Sequence, residues 1–220
     1  MPAALPSAVL WDLDGTLVDT EPLWIAAEHE LAAEVGGTWT TEDALQLVGS
    51  NLIVAGEILQ RHFATSMTPV EIVDFLLTRV GRGLTGGAAP WRPGARELVL
   101  AYADAGVPQA LVTMSYAVLA DPIAASLPLA AVVTGDRVTR GKPHPEPYLT
   151  AARMLDVQPA ACLAVEDSET GATSATEAGC QVLAVPHMVG VAAHPRRRVV
   201  TTLEGLTPAS VSTLFADLDA

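Results

Sequence analysis

The sequence predicts an α/β protein: a doubly wound, parallel, Rossmann-like sheet core with an inserted small helical cap domain. Three observations carry this. Short apolar runs recur along the 220 residues without alternating polar positions, as in parallel strands covered on both faces. Helix-like stretches separate the runs, the alternation of a doubly wound sheet. About 95 residues lie between the first run and the second, far more than a crossover helix requires. Residues 20–91 take up that interval and read as helical. The core is therefore expected at 1–19 and 92–220, and the cap at 20–91.

In chain order, residues 8–11 are the first strand. Trp24, Ala27, Leu31 and Val35 then step by three and four, the period of an amphipathic helix, until Gly36-Gly37. A short helix is expected at 42–48. Asn51 can cap another, with Leu52, Ala55 and Leu59 turned inward. Thr68-Pro69-Val70-Glu71 is a capping box with proline at the first helical position. Ile72, Leu76 and Val80 line one face of that helix, and Gly81 is expected to end it. Gly81, Gly83, Gly86-Gly87 and Pro90 then read as a flexible return.

Arg92-Pro93-Gly94-Ala95 opens a core helix with Leu98, Ala101, Tyr102 and Ala105 on its apolar face, and Gly106 stops it. Strands are expected at 109–113, 130–134, 162–165 and 181–185, with a weaker one at 198–201. A helix at 169–178 is closed by Gly179. The apolar stretch 120–134 is broken by Asp121, Pro122 and Pro128, so no segment offers the ~20 clean apolar residues of a spanning helix.

Composition narrows the partners. Twelve basic against twenty-five acidic residues give a formal charge of −13, the wrong sign for a nucleic-acid or anionic-membrane binder. Cys162 and Cys180 cannot make a disulfide framework and suit a reducing interior. The first residues have neither the positive start nor the long apolar core of a signal peptide. A soluble cytoplasmic protein is expected, monomeric by default, acting on a small molecule.

Ligands of open parallel sheets bind at the carboxyl ends of the strands. Asp12, Asp14, Gly15 and Thr16 follow the first strand and Thr113 ends the second. Gly141-Lys142-Pro143 lies beyond the third, and Glu166-Asp167-Ser168 follows the fourth. Carboxylates gathered at one edge repel one another unless a cation neutralises them. A hard divalent ion such as Mg²⁺ suits oxygen donors and leaves positions for phosphate oxygens.

Trp11-Asp12-Leu13-Asp14-Gly15-Thr16-Leu17-Val18-Asp19-Thr20-Glu21 resembles the first signature of the haloacid dehalogenase-like superfamily. Thr113 is similar to its second. Gly141-Lys142-Pro143-His144-Pro145-Glu146-Pro147-Tyr148 is similar to its third, and Glu166-Asp167-Ser168, with Gly171 and Ala178-Gly179, to its fourth. The place of the helical insertion matches the subgroup that includes phosphoglycolate phosphatase and β-phosphoglucomutase.

The resemblance implies a Mg²⁺-dependent phosphatase acting on a small phosphomonoester, a sugar phosphate or a phosphoglycolate-like ester, through an aspartyl-phosphate. Asp12 would be the nucleophile, and Asp14 the acid and then the base. Asp12, Asp167 and the backbone carbonyl of Asp14 would hold the metal, with Glu166 nearby or through water. Lys142, Thr113 and the Met114 N–H would bind the phosphoryl group, with Gly15 leaving room for backbone approach. The chain's sole lysine beside eleven arginines sits in the family's lysine position.

Blander readings exist for each feature. Asp14-Gly15 is also a turn, Glu166-Asp167-Ser168 also caps a helix, and Thr113 is also an ordinary strand end. Gly135 to Gly141-Lys142 imitates a P-loop but has one residue too many and Pro143 after the lysine. His29, His62, His144, His187 and His194 show no zinc spacing, though His144 and His187 are weak candidates for the entrance. Arg196-Arg197-Arg198 reads as a solvated turn, and Trp24 as cap core or mouth of the site.

The main alternative is a β-phosphoglucomutase-like phosphomutase. That relative usually carries a histidine where this chain has Trp24. It also has a cap arginine just beyond the glycine aligned with Gly49, where Ser50-Asn51-Leu52 stand here. Haloalkanoic acid dehalogenation does not need Asp14, and a non-catalytic binding module has no use for the reactive groups.

Overall fold

A computed structural model describes residues 4–48, 50–85 and 89–216. Six strands form one parallel sheet: β1 (Ala8–Trp11), β2 (Gln109–Val112), β3 (Ala131–Val133), β4 (Cys162–Glu166), β5 (Gln181–Ala184) and β6 (Arg197–Val199). Their order is β3-β2-β1-β4-β5-β6, so the winding reverses between β1 and β4. Val9 pairs with Gln109 on one side and Leu163 on the other, which places the ends of β1 and β4 side by side.

Consecutive residues of a strand point to opposite faces. Val9 and Trp11 accordingly join one core with Tyr102, Leu111 and Ile123, while Ala8 and Leu10 join the other with Tyr148 and Ala175. Helices α5 (Ala95–Asp104), α6 (Ala117–Ala124) and α9 (Pro208–Leu214) cover the first face. Helices α7 (Glu146–Met154) and α8 (Glu169–Glu177) cover the second, where Ala151, Ala152, Ala172 and Ala175 let them lie close to the strands. Each fully buried Leu-sized side chain contributes about 1.5–3 kcal/mol.

Between β1 and β2 stand α1 (Glu21–Glu34), α2 (Thr41–Leu45), α3 (Leu52–Phe63) and α4 (Pro69–Thr85), around a core of their own that includes Leu31, Leu59, Ile72 and Leu76. The expected caps are present. Asn51 Oδ1 accepts from the Ile53 N–H at 2.9 Å, and Glu71 accepts from the Thr68 N–H at 2.7 Å. Two short links join this unit to the sheet, and backbone bonds tie them together: Asp19 N–H to Pro90 at 2.8 Å and Arg92 N–H to Leu17 at 2.9 Å.

Some elements differ from expectation. Helix α4 does not stop at Gly81 but runs through Gly83 to Thr85. A Cβ on Gly83 would lie 2.6 Å from Leu23, so that glycine serves the contact between α4 and α1. Gly86-Gly87 lies outside the described residues. Helix α6, with Pro122 inside it, occupies a stretch read only as interrupted. Arg197 is not in a solvated turn: it lies in β6, 8% exposed, with its guanidinium 2.9 Å from Glu169. No described helix is long and apolar enough to cross a membrane.

Candidate active site

Each expected strand-end group is set by a local backbone feature. The Asp12 N–H donates to Val165 at 3.0 Å and so stays in register with β4. Buried Leu13 offers its carbonyl to the N–H groups of Thr16, Leu17 and Val18, and the chain turns there. Gly15 takes φ +83°, and a Cβ on it would stand 2.2 Å from Asp167 Oδ2. Glycine is needed at this position both for conformation and for space. Beyond β4, Ser168 caps α8 by accepting from the Gly171 N–H at 3.2 Å. A Cβ on Gly171 would sit 2.0 Å from the Glu166 carboxylate.

Lys142 arrives from the loop before α7 and is buried among these groups. Its ammonium donates to Asp12 Oδ1 at 2.7 Å, Glu166 Oε1 at 2.6 Å and the Val112 carbonyl at 2.9 Å. An ammonium has three N–H donors, so all are used. Glu166 Oε1 also accepts from the Tyr148 hydroxyl. The Lys142 N–H donates to Met114 Sδ at 3.2 Å, seating the lysine loop on the segment after β2.

Asp14 points toward the cap. Its Oδ1 accepts from Thr20 Oγ1 at 2.6 Å and lies 3.5 Å from Trp24 Nε1. Its Oδ2 accepts from Thr113 Oγ1 at 3.0 Å, and the Thr113 hydroxyl oxygen in turn accepts from the Ser115 N–H at 2.9 Å.

Asp12, Glu166 and Asp167 each offer an oxygen within 4.8 Å of the others. All three are buried, at 6%, 0% and 2% exposure. Asp12 Oδ2 and Asp167 Oδ2 are buried and accept no hydrogen bond. The ammonium pairs with Asp12 and Glu166 only, and the buried Asp12 Oδ2 and Asp167 Oδ2 are left without a partner. A hard cation would satisfy both oxygens, so the donor set fits a divalent metal.

The electrostatics follow. Burial first, and the Glu166 charge second, push Asp12 up to about 7 against the opposing pull of Lys142. Burial with the Asp12 and Glu166 charges holds Asp167 well above the carboxylate range. Burial alone would lower Lys142, but Asp12 and Glu166 hold it above its ordinary value.

Over this cluster the cap closes a cavity of about 70 Å³. Asp12, Asp14, Met114, Lys142 and Asp167 line it from the sheet. Helix α1 contributes Glu21, Trp24 and Glu28. Burial, then the Asp14 and Glu28 charges, raises Glu21 to about 8. Burial raises Glu28 to about 7, opposed by a hydrogen bond from Trp39.

These shifts fix a pH dependence. Each raised carboxyl keeps its proton to a higher pH when folded than when unfolded, where it titrates near about 4. The folded state therefore binds more protons between about pH 4 and pH 8, and stability falls as pH rises through that window. Asp43, Glu71 and Glu146, held by hydrogen bonds from backbone N–H groups, are shifted down and weaken the fold only in more acidic solution. Metal-stripped protein is expected to melt at a lower temperature near pH 8 than near pH 5. Added Mg²⁺ should recover more of the loss at the higher pH. A melting temperature that climbs across this range without metal contradicts the assignment.

The sheet edge thus gathers Asp12, Asp14, Gly15, Thr113, Met114, Lys142, Glu166 and Asp167, drawn from segments up to 155 positions apart in the sequence. Trp24 lines the cavity. His144 and His187 do not: His144 Nδ1 accepts from the Glu146 N–H, and His187 pairs with Asp19 at 3.0 Å. Sequence reasoning missed Thr20, Tyr148 and Glu28. Thr20 and Tyr148 stood inside the quoted motifs, and Glu28 left one signal, an acid on the otherwise apolar stripe of α1.

A family profile described as haloacid dehalogenase-like hydrolase matches residues 6–179. Hexitol phosphatase A of Escherichia coli (strain K12) is 35% identical over 185 residues, covering 80% of this chain and 81% of that protein. N-acetylmuramic acid 6-phosphate phosphatase of Pseudomonas aeruginosa is 33% identical over 187 residues, covering 81% and 80%. Among solved structures, a mutant of CbbY from Rhodobacter sphaeroides in complex with xylulose-(1,5)bisphosphate superposes with a TM-score of 0.80 at 25% identity, covering 92% of this chain and 96% of that one.

Proposed function

The chain belongs to the haloacid dehalogenase-like hydrolases, and from that premise we propose a Mg²⁺-dependent phosphatase that hydrolyses a small phosphomonoester through an aspartyl-phosphate on Asp12. The observation that carries this is the state of Asp12. One of its oxygens is held by Lys142, and the other is buried and unbonded in a cluster where Asp167 also keeps an unbonded oxygen.

Asp12 attacks phosphorus, and the bond from phosphorus to the ester oxygen breaks. Asp14 protonates that leaving oxygen. It then takes a proton from the water that attacks the aspartyl-phosphate, releasing phosphate and restoring Asp12. Lys142 holds the nucleophile through one donor and offsets negative charge on the transferring group as a nearby point charge. The Met114 N–H and the Thr113 hydroxyl, which gives up its bond to Asp14 when substrate enters, bind the phosphoryl oxygens, and Gly15 keeps the turn clear. Thr20 and Trp24 orient Asp14, so entry into the cap and the acid–base group are linked.

Asp12, Asp167 and the Asp14 carbonyl would hold the ion, with Glu166 close by. When bound, Mg²⁺ neutralises these carboxylates and the charge on the transferring group. Residues 1–19 and 92–220 serve as the core and 20–91 as the cap that excludes water, hinged where Asp19 meets Pro90. All proposed groups come from one chain, so a monomer suffices. The buried free thiols of Cys162 and Cys180 support the cytoplasm as its compartment.

A panel of phosphomonoesters assayed with Mg²⁺, with and without chelator, tests the reading. Hydrolysis that stops with chelator and returns with Mg²⁺ is expected. Equal turnover in chelator, or isomerisation of β-glucose 1-phosphate with no ester hydrolysed, overturns it.

A further inference from the structure

The cap wall of the active-site cavity carries two buried carboxyl groups and, among the described residues, no cation. Glu21 and Glu28 both line it and are 7% and 5% exposed. They lie seven positions apart on α1, about 10 Å along the helix axis. Glu21 stands near the reacting groups and Glu28 at the far end. Trp39 Nε1 donates to Glu28 Oε2 at 2.8 Å, which fixes that carboxyl group. Among the described residues, nothing hydrogen-bonds to the other Glu28 oxygen or to the Glu21 carboxyl group. Lys142 is the only cationic residue among the described lining, and its three donors are already engaged. The rest of the cap wall is largely apolar, with Leu47, Leu52 and Leu76.

A substrate tail with a carboxylate or a second phosphate would bury an anion against two acids with no cation beside it, at a large cost. A tail rich in hydroxyl groups instead brings O–H donors to acceptors that have none. Resting on the phosphatase reading, we propose that the substrate's far end is an uncharged polyol or sugar, and that Glu28 is the specificity-determining residue that accepts a hydrogen bond from its distal hydroxyl. Trp39 acts as a positioning residue by holding the second oxygen of Glu28. The similarity to a hexitol phosphatase agrees with a tail of this chemistry.

The test compares the full-length wild type with Glu28→Gln and Glu28→Ala in Mg²⁺. Sorbitol 6-phosphate is the long neutral ester and 4-nitrophenyl phosphate the one with no distal hydroxyl. Phosphoglycolate, fructose 1,6-bisphosphate and phosphoethanolamine supply charged tails. The wild type should favour sorbitol 6-phosphate over both anionic-tailed esters by at least about tenfold in kcat/KM, and should not prefer the cationic-tailed one. Glu28→Gln keeps an acceptor for Trp39 and should lose about tenfold on sorbitol 6-phosphate, mostly in KM, and Glu28→Ala about a hundredfold. Both should stay within about twofold of wild type on 4-nitrophenyl phosphate. Equal losses on the two esters would mark a structural role for Glu28 and overturn the proposal, as would no loss on either. A wild-type preference for a charged tail would also overturn it. Failure of the wild type to hydrolyse any ester would instead sink the phosphatase reading beneath it.

Discussion

Asp12→Asn is expected to abolish turnover, with a loss of about 10⁴-fold or more, the scale seen when an attacking group is removed. An amide cannot form the acyl-phosphate, so no slower version of the same route survives. The variant should nevertheless fold. Its amide oxygen can still accept from Lys142, and its NH₂ would take the place of the buried, unbonded Asp12 Oδ2, in the cluster that includes Asp167. A buried acid held near 7 is replaced by a neutral group. Metal-free Asp12→Asn should therefore melt no lower than the parent near pH 8, while Mg²⁺ raises its melting temperature less. Steady-state assays and thermal melts with chelator check both parts. More than about 1% residual activity would remove Asp12 from its role.

Lys142→Met should damage both the fold and the chemistry. The ammonium now joins Asp12, Glu166 and the end of β2 through three short bonds among buried groups. Without it the two acids lose their common partner. Removing one member of a buried ion pair typically costs about 3–5 kcal/mol. That loss should be largest near pH 8 and smaller near pH 5, where Asp12 takes up a proton. Activity should fall by about 10³-fold or more, since a charge aimed at the transferring group is lost. Lys142→Arg should not rescue it, because a planar guanidinium cannot direct three donors to these acceptors in the same volume. Wild-type melting near pH 8 with retained turnover in Lys142→Met would contradict this account.

How much of the fold was legible in the sequence depended on range. Local chemistry was readable: Asn51 and Thr68 mark helix starts, and both caps form. The apolar runs became strands because a parallel sheet buries both faces, as Ala8 to Trp11 show. Glycines were harder. Gly81 and Gly83 look like a helix end, but packing of α4 on α1 keeps the helix going. Pro122 looked like a break, yet it lies toward the end of the short helix α6, where Ala120 and Ile123 bury against the sheet. Arg197 seemed solvated because its partner Glu169 lies 28 positions away on α8.

The site shows the same division. Its reactive groups follow strands one after another, and the switch between β1 and β4 gathers them. The links from Thr20 and Trp24 to Asp14, from Tyr148 to Glu166 and from Trp39 to Glu28 depend on how the insertion and the loops fold back over the sheet, which no local pattern encodes.

The central claim is that Asp12 bonds to phosphorus. Protein mixed with a turned-over ester and Mg²⁺ can be quenched in acid within the first turnover, digested, and its peptides weighed. A phosphoryl adduct is expected on the peptide that contains residues 12–21, located at Asp12 and missing from Asp12→Asn. An adduct on another residue, or rapid hydrolysis by Asp12→Asn, would contradict it.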